Sequence, residues 1–208
     1  MRLLTLIFGI VLLPEAYTLK CLRCLPDASR ACITTEWTCH SRNALCATRR
    51  ISSFAGDAKM SDVHLKTCVL QDECSEGSVN FGISRIVVTS HCCTSNLCNA
   101  GNAPEAERHD TNGHKCYHCD GERCSLTLTC AGNEDHCITK TVNVGGKIKI
   151  TKGCASRQMC SATENAQIKA AIGGEMTCCR GDFCNGASIT NAGLLLLVTP
   201  LVSLLMFS

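Results

Sequence analysis

The apolar residues of this chain fall into three patterns. Residues 1–13 form an apolar run broken only by Arg2 and Thr5, and residues 193–207 form a second run interrupted by Pro200. Between them the apolar positions are sparse and alternate. In residues 138–153, ITKTVNVGGKIKITKG, Ile148 and Ile150 alternate with Lys147, Lys149 and Thr151. A period of two marks a strand with one face toward other protein. Gly145-Gly146 sits where a two-residue hairpin turn requires positive φ. Residues 47–67 form a counterpart five residues longer that turns near Gly56-Asp57. Strand-like runs at 83–91 and 173–177 each lead into a pair of adjacent cysteines. Residues 100–115 carry Pro, Gly and charges with no apolar periodicity and read as a linker. The pattern therefore predicts β-hairpins in two blocks.

Composition explains how such short strands could persist. The chain has 20 cysteines in 208 residues, the density of a disulfide scaffold from an oxidising compartment. Between the two end runs the main aromatics are Trp37, Phe54, Phe81, Tyr117 and Phe183. Domains of this size with so little bulk must be stabilised by covalent closures. Each loop of ~15–20 residues closed by a disulfide is worth ~3 kcal/mol on a chain-entropy estimate. The net charge of +2 is too small to suggest nucleic acid.

The cysteines fall into two sets of ten. CCTSNLCN at residues 92–99 returns as CCRGDFCN at residues 178–185. Both sets open with CxxC. Both place six residues between the fourth and fifth cysteine, five between the sixth and seventh, and seventeen between the seventh and eighth. An adjacent pair, four residues and Cys-Asn close each set. The remaining gaps vary, as loops on a fixed knot do. Such an internal repeat predicts two domains. Spacing alone leaves the pairing open, except that adjacent cysteines would strain the peptide between them if joined.

The opening L-x-C-x-x-C (residues 19–24), the closing CC-x4-CN and the ten-cysteine ladder resemble the lymphocyte antigen-6/urokinase-receptor (LU) domain. The resemblance implies an all-β, disulfide-rich fold of two tandem three-finger domains, residues 19–99 and 115–185, joined by residues 100–114. It also implies the pairs Cys21-Cys46, Cys24-Cys32, Cys39-Cys68, Cys74-Cys92 and Cys93-Cys98. In the second domain it implies Cys116-Cys137, Cys119-Cys124, Cys130-Cys154, Cys160-Cys178 and Cys179-Cys184. Asn99 and Asn185 are then structural, bonding across the palm.

The two ends fix the expected compartment. Residues 1–18 read as a secretory signal peptide, with Arg2, an apolar stretch, and small or compact residues at Ala16 and Thr18. The run 193–207 is short of the ~20 residues of a spanning helix and has no basic residue after it. Preceded by small residues, it matches a glycosylphosphatidylinositol (GPI) signal, residues 186–208. Gly186 is the favoured attachment residue, with Asn185 as the alternative. The polar spacer is shorter than the usual ~8–12 residues, and a short transmembrane tail is the competing reading.

Other motifs have plain alternatives. Arg180-Gly181-Asp182 could engage an integrin, but Asn96 fills the slot of Asp182 in the first repeat, so a local turn role is expected for the Asp. The CxxC pairs, with His118 inside the second, have zinc or redox spacing, yet an oxidising compartment favours disulfides. His109 and His114 read as solvated linker residues. No G-x-S-x-G or other catalytic constellation occurs, and no free thiol is expected to serve as a nucleophile. No enzyme activity, cofactor or metal is expected. The only N-x-S/T-like position is Asn96-Leu97-Cys98, so N-glycosylation is not expected.

The expected contact surfaces are the middle fingers, residues 47–67 and 138–153. In the first, Arg49, Arg50 and Phe54 have the composition of interface anchors. In the second, Lys147 and Lys149 belong to a segment with no acidic residue, either a solvated face or a rim for an acidic partner or lipid headgroups. The reading is a GPI-anchored protein on the outer face of the plasma membrane, or shed from it, that recognises an extracellular protein ligand. The alternative is a secreted inhibitor resembling two-domain serum phospholipase inhibitors.

Overall fold

The computed structural model describes residues 18–26, 32–121, 123–161 and 172–186. The proposed signal peptide up to residue 17 and the tail from residue 187 lie outside them. The chain divides into two compact units, Met1–Glu76 with Val87–Glu107, and Gly77–Ile86 with Arg108–Ser208.

In unit 1, β1 (Lys20–Arg23) and β2 (Thr35–Thr38) form a two-stranded antiparallel sheet. Strands β3 (Ala44–Ala55) and β4 (Ala58–Leu70) form a long hairpin. Strand β6 (Ser84–Cys93) lies on the other side of β3. Unit 2 repeats the plan. Strand β7 (Thr111–Asp120) pairs with β8 (Arg123–Ala131), β9 (His136–Val144) with β10 (Lys147–Ala155), and β11 (Glu175–Arg180) flanks β9. Strand β5 (Gly77–Asn80) joins the other edge of β10, Asn80 opposite Cys154 and Val79 opposite Ala155.

The β9–β10 turn forms because two glycines occupy it. Gly145 and Gly146 have φ of 59° and 82°, the pair of positive values a tight hairpin turn needs, and Val144 faces Lys147 across it. Asn143 Oδ1 accepts the Gly146 amide at 3.0 Å and completes the turn.

Sulfur fills the middle of each unit. Leu19, Cys21, Cys39 and Cys46 form the buried cluster of unit 1, with Ala44, Cys68, Cys93 and Cys98 packed around it. Cys116, Cys130, Cys137 and Cys154 do the same in unit 2, with Leu128 and Cys179. The structure joins Cys21 to Cys46, Cys24 to Cys32, Cys39 to Cys68, Cys74 to Cys92 and Cys93 to Cys98. It joins Cys116 to Cys137, Cys119 to Cys124, Cys130 to Cys154, Cys160 to Cys178 and Cys179 to Cys184. Neighbouring disulfides touch: the Cys21 and Cys39 sulfurs are 3.2 Å apart, and those of Cys116 and Cys130 are 3.5 Å apart. Polarisable sulfur thus takes the place that aliphatic side chains hold in a larger core.

Candidate functional site

The base of each unit is held by one asparagine. Asn99 is fully buried; its Oδ1 accepts the Leu22 amide at 2.9 Å, and its Nδ2 donates to the carbonyls of Leu22 and Ala47 at 2.8 and 3.0 Å. Asn185 repeats this with the Tyr117 amide at 3.0 Å and the carbonyls of Tyr117 and Ile138 at 2.9 and 3.1 Å. Each amide thereby ties the first hairpin to the central strand of the larger sheet. The closing loops are also alike. Leu97 and Phe183 are the two non-glycine residues with positive φ among the described residues, 58° and 57°, and their amides donate to the carbonyls of Lys20 and Lys115.

This geometry accounts for the Arg-Gly-Asp sequence. Asp182 Oδ1 accepts the Lys115 amide at 3.1 Å, the task Asn96 Oδ1 performs for the Lys20 amide at 2.9 Å. The role is not the local turn expected of it: the amide lies 67 residues away. The His114 imidazole holds the same oxygen at 2.6 Å. Arg180 stands 79% exposed and reaches Asp135 at 3.9 Å. One of the motif's two charges is therefore committed to the closing loop.

The middle finger of unit 1 differs from the sequence expectation. Arg49 is 5% exposed and cannot act as a surface anchor. Its guanidinium donates to the Glu73 carbonyl at 2.6 Å, and burial lowers its pKa from the usual value. Arg50 is tied down as well. Its Nε donates to Asp62 at 2.7 Å and its Nη2 to Glu105 at 3.2 Å. The Arg50 hydrogen bond holds the Asp62 carboxyl well below the usual carboxylate range. Lys59 joins this network through Glu105 and Asp62. Phe54 is half-buried. Arg50 meets the segment read as a linker, through Glu105. Residues 100–105 dock on unit 1, with the Pro104 carbonyl accepting from Thr89 Oγ1 at 2.6 Å, Ala103 buried, and Lys66 donating to the Ala100 carbonyl.

The middle finger of unit 2 sorts its lysines. Lys152 donates to the Gly186 carbonyl at 2.9 Å. Lys140 donates to the Ile172 carbonyl and lies 5.7 Å from the centre of the Phe81 ring; burial, helped by the Lys149 charge, lowers its pKa. Lys147 and Lys149 remain exposed. They share one face of the hairpin with Val144, while Ile148, 69% exposed, and Ile150 stand on the other.

Exposed apolar residues that the sequence did not single out lie on the fingers of unit 1. Met60 is exposed at the β3–β4 tip, and Ile33 precedes β2. Trp37 is 41% exposed, with the Arg23 guanidinium 4.2 Å from its ring centre. The aromatic scarcity pointed only to a small core. It carried no sign that one of the few aromatics would face outward.

Sulfur and histidine groups that approach within ligand distance of one another, such as His114, Cys116 and Cys137, involve cysteines already joined as disulfides. They supply no thiolate for a metal.

The u-PAR/Ly-6 domain model matches residues 17–101, and the snake toxin and toxin-like protein model matches residues 114–185. Together they span most of the chain, one on each cysteine set. The chain belongs to the Ly-6/u-PAR family. It is an all-β, disulfide-rich LU protein with two tandem three-finger domains. Among its relatives is the urokinase plasminogen activator surface receptor of Bos taurus, 28% identical over 146 residues, or 66% of this chain and 43% of the relative. The Aotus trivirgatus receptor of the same name is 24% identical over 190 residues, 84% of this chain and 56% of the relative. The Mus musculus receptor is 28% identical over 120 residues. The chain spans between 36% and 56% of the length of these relatives.

Proposed function

We propose that this LU protein is a non-enzymatic, GPI-anchored cell-surface binding protein that recognises an extracellular protein ligand through its fingers. The observation that carries this reading is the contrast between base and tips. Disulfides and buried asparagines fix the base, while Met60, Val144, Lys147, Ile148 and Lys149 stand exposed at hairpin ends where they add nothing to the core. Exposed apolar groups beside exposed cations suit a protein interface, where a few such residues carry most of the binding energy. The relatives bear the name of a surface receptor, and residues 1–18 and 186–208 have the composition of a signal peptide and a GPI signal.

The test is to replace residues 55–60 and 144–149 with Gly-Ser on the native cell surface and compare proximity-labelled neighbours with wild type. Loss of specific neighbours supports the reading; an unchanged set removes the fingers from recognition. Anchoring is tested separately. Phosphatidylinositol-specific phospholipase C should release the protein from cells. Spontaneous secretion of uncleaved protein would favour a soluble inhibitor instead.

A further inference from the structure

We infer that unit 2 contains a strand-acceptor site whose ligand is an extended peptide segment, occupied in this protein by residues 77–82 of the same chain. The segment lies inside the loop that the Cys74–Cys92 disulfide closes. On one side β5 neighbours β6, with the Phe81 amide donating to the Ser84 carbonyl at 2.8 Å; on the other its partners come from the later cysteine set. Val79 and Asn80 pair with Ala155 and Cys154, and the Ser78 carbonyl accepts the Ser156 amide at 2.9 Å. The Ser78 amide donates to Ser156 Oγ at 3.0 Å, and Ser156 is fully buried.

A buried carboxylate reads the segment's hydroxyl. Glu134 is 2% exposed; its Oε1 accepts from Ser78 Oγ at 2.8 Å and its Oε2 accepts the Ala131 amide at 3.0 Å. Without the segment, Oε1 would lose its hydrogen bond. Val79 and Phe81 are buried, and the Lys140 ammonium lies near the Phe81 ring. Gly153 is a requirement of the site, because a Cβ there would stand 2.0 Å from the Asn80 carbonyl oxygen. The ligand is thus an extended stretch with a small hydroxyl residue, a branched apolar residue and an aromatic at positions 78, 79 and 81. Main-chain pairing supplies affinity and the alternate side chains supply selectivity, the logic of strand addition.

Hydrogen exchange on the intact mature protein tests the site. Residues 77–81 and 153–156 should exchange as slowly as the central strand β9. The substitution Val79→Asp in the full chain places a charge in the buried slot. It should speed exchange at both segments more than tenfold while the β3–β4 hairpin keeps its protection. Synthetic GSVNFGISRI, residues 77–86, should then slow residues 153–156 again, and the same peptide with Asp at its third position should not. The site is overturned by fast exchange of residues 77–81 in the wild-type protein, by unchanged protection of 153–156 in Val79→Asp, or by a wild-type peptide that restores nothing. If Val79→Asp does not fold, the wild-type rates and the milder Ser78→Ala decide. Ser78→Ala should speed exchange at residues 77–81, and unchanged rates there count against the site.

Discussion

At the scale of single residues, Asn99 and Asn185 show how one side chain can organise a palm. A carboxamide offers two donors and an acceptor on one short stem, so it can accept an amide and donate to two carbonyls at once. Asn185→Ala would leave the Tyr117 amide and the Tyr117 and Ile138 carbonyls without that partner in a buried setting. At ~1 kcal/mol per bond, the expected loss is ~2–4 kcal/mol in denaturant unfolding with disulfides intact. Asn185→Asp should not rescue it, because a carboxylate cannot donate to the two carbonyls. Asp62 makes a pH prediction. The Arg50 hydrogen bond depresses its carboxyl pKa below the ordinary 3.8. A depressed carboxylate contributes stability that is present above the unfolded pKa and lost as pH falls through the folded one. The Arg50–Asp62 pair should therefore leave stability flat above pH ~5. It should add to acid destabilisation only at and below the ordinary carboxylate range. In Arg50→Ala, the Asp62 titration followed by NMR should move back toward 3.8. An Asp62 that titrates identically in both proteins would rule out that pairing in solution.

At the scale of elements, the two middle fingers look alike in sequence and have different fates. In unit 2 alternation marks the strand and agrees with the exposure of Lys147 and Lys149, but not with that of Ile148 and Ile150, because both faces of the hairpin end are open. In unit 1 the neighbours Arg49 and Arg50 lie on opposite faces of β3 and both are tied down, Arg49 by the Glu73 carbonyl and Arg50 by Asp62 and Glu105. Alternation says which residues share a face but not what covers that face, and residues 100–105 cover one face of the β3–β4 hairpin. Triple replacement of Lys147, Ile148 and Lys149 by Ser should change stability by no more than ~0.5 kcal/mol per site, since exposed side chains away from caps and cores contribute little. Gly153→Ala should be far more costly than its one methyl suggests. The added carbon meets the backbone oxygen of Asn80, which cannot move without breaking the β5–β10 pairing. A loss of ~1–3 kcal/mol is expected from such overpacking, read by thermal unfolding. Gly145→Val should cost ~1–2 kcal/mol through the left-handed backbone alone, with no change elsewhere.

At the scale of the molecule, stability rests on closures more than on an oily interior. Trp37 faces outward and Phe54 is half-buried, which leaves Phe81 as the fully buried aromatic among the described residues. No cysteine is free. Thiol titration of the denatured, unreduced protein should find no reactive sulfhydryl, and full reduction should abolish the native fold under conditions where the oxidised chain is stable. A reduced chain that kept its hydrogen-exchange protection would show that apolar burial suffices.

The sequence by itself determined the repeat, the hairpins and the character of the core. Cysteine spacing, period-two alternation and paired glycines are marks that can be read along the chain, the last two because the forces behind them act over a few residues and the first because it is written twice. The repeated Cys-Asn also announced that both closing loops would be built alike. Only the tertiary structure decided that Arg49 is buried, that residues 100–105 lie on the β3–β4 hairpin, that Asp182 serves a distant amide, and that residues 77–82 fill a slot lined by Glu134, Ser156 and Lys140. Each depends on hydrogen bonds or close approach between residues far apart in the chain. Such contacts follow from where strands pack, and packing leaves no periodic trace in the order of the residues.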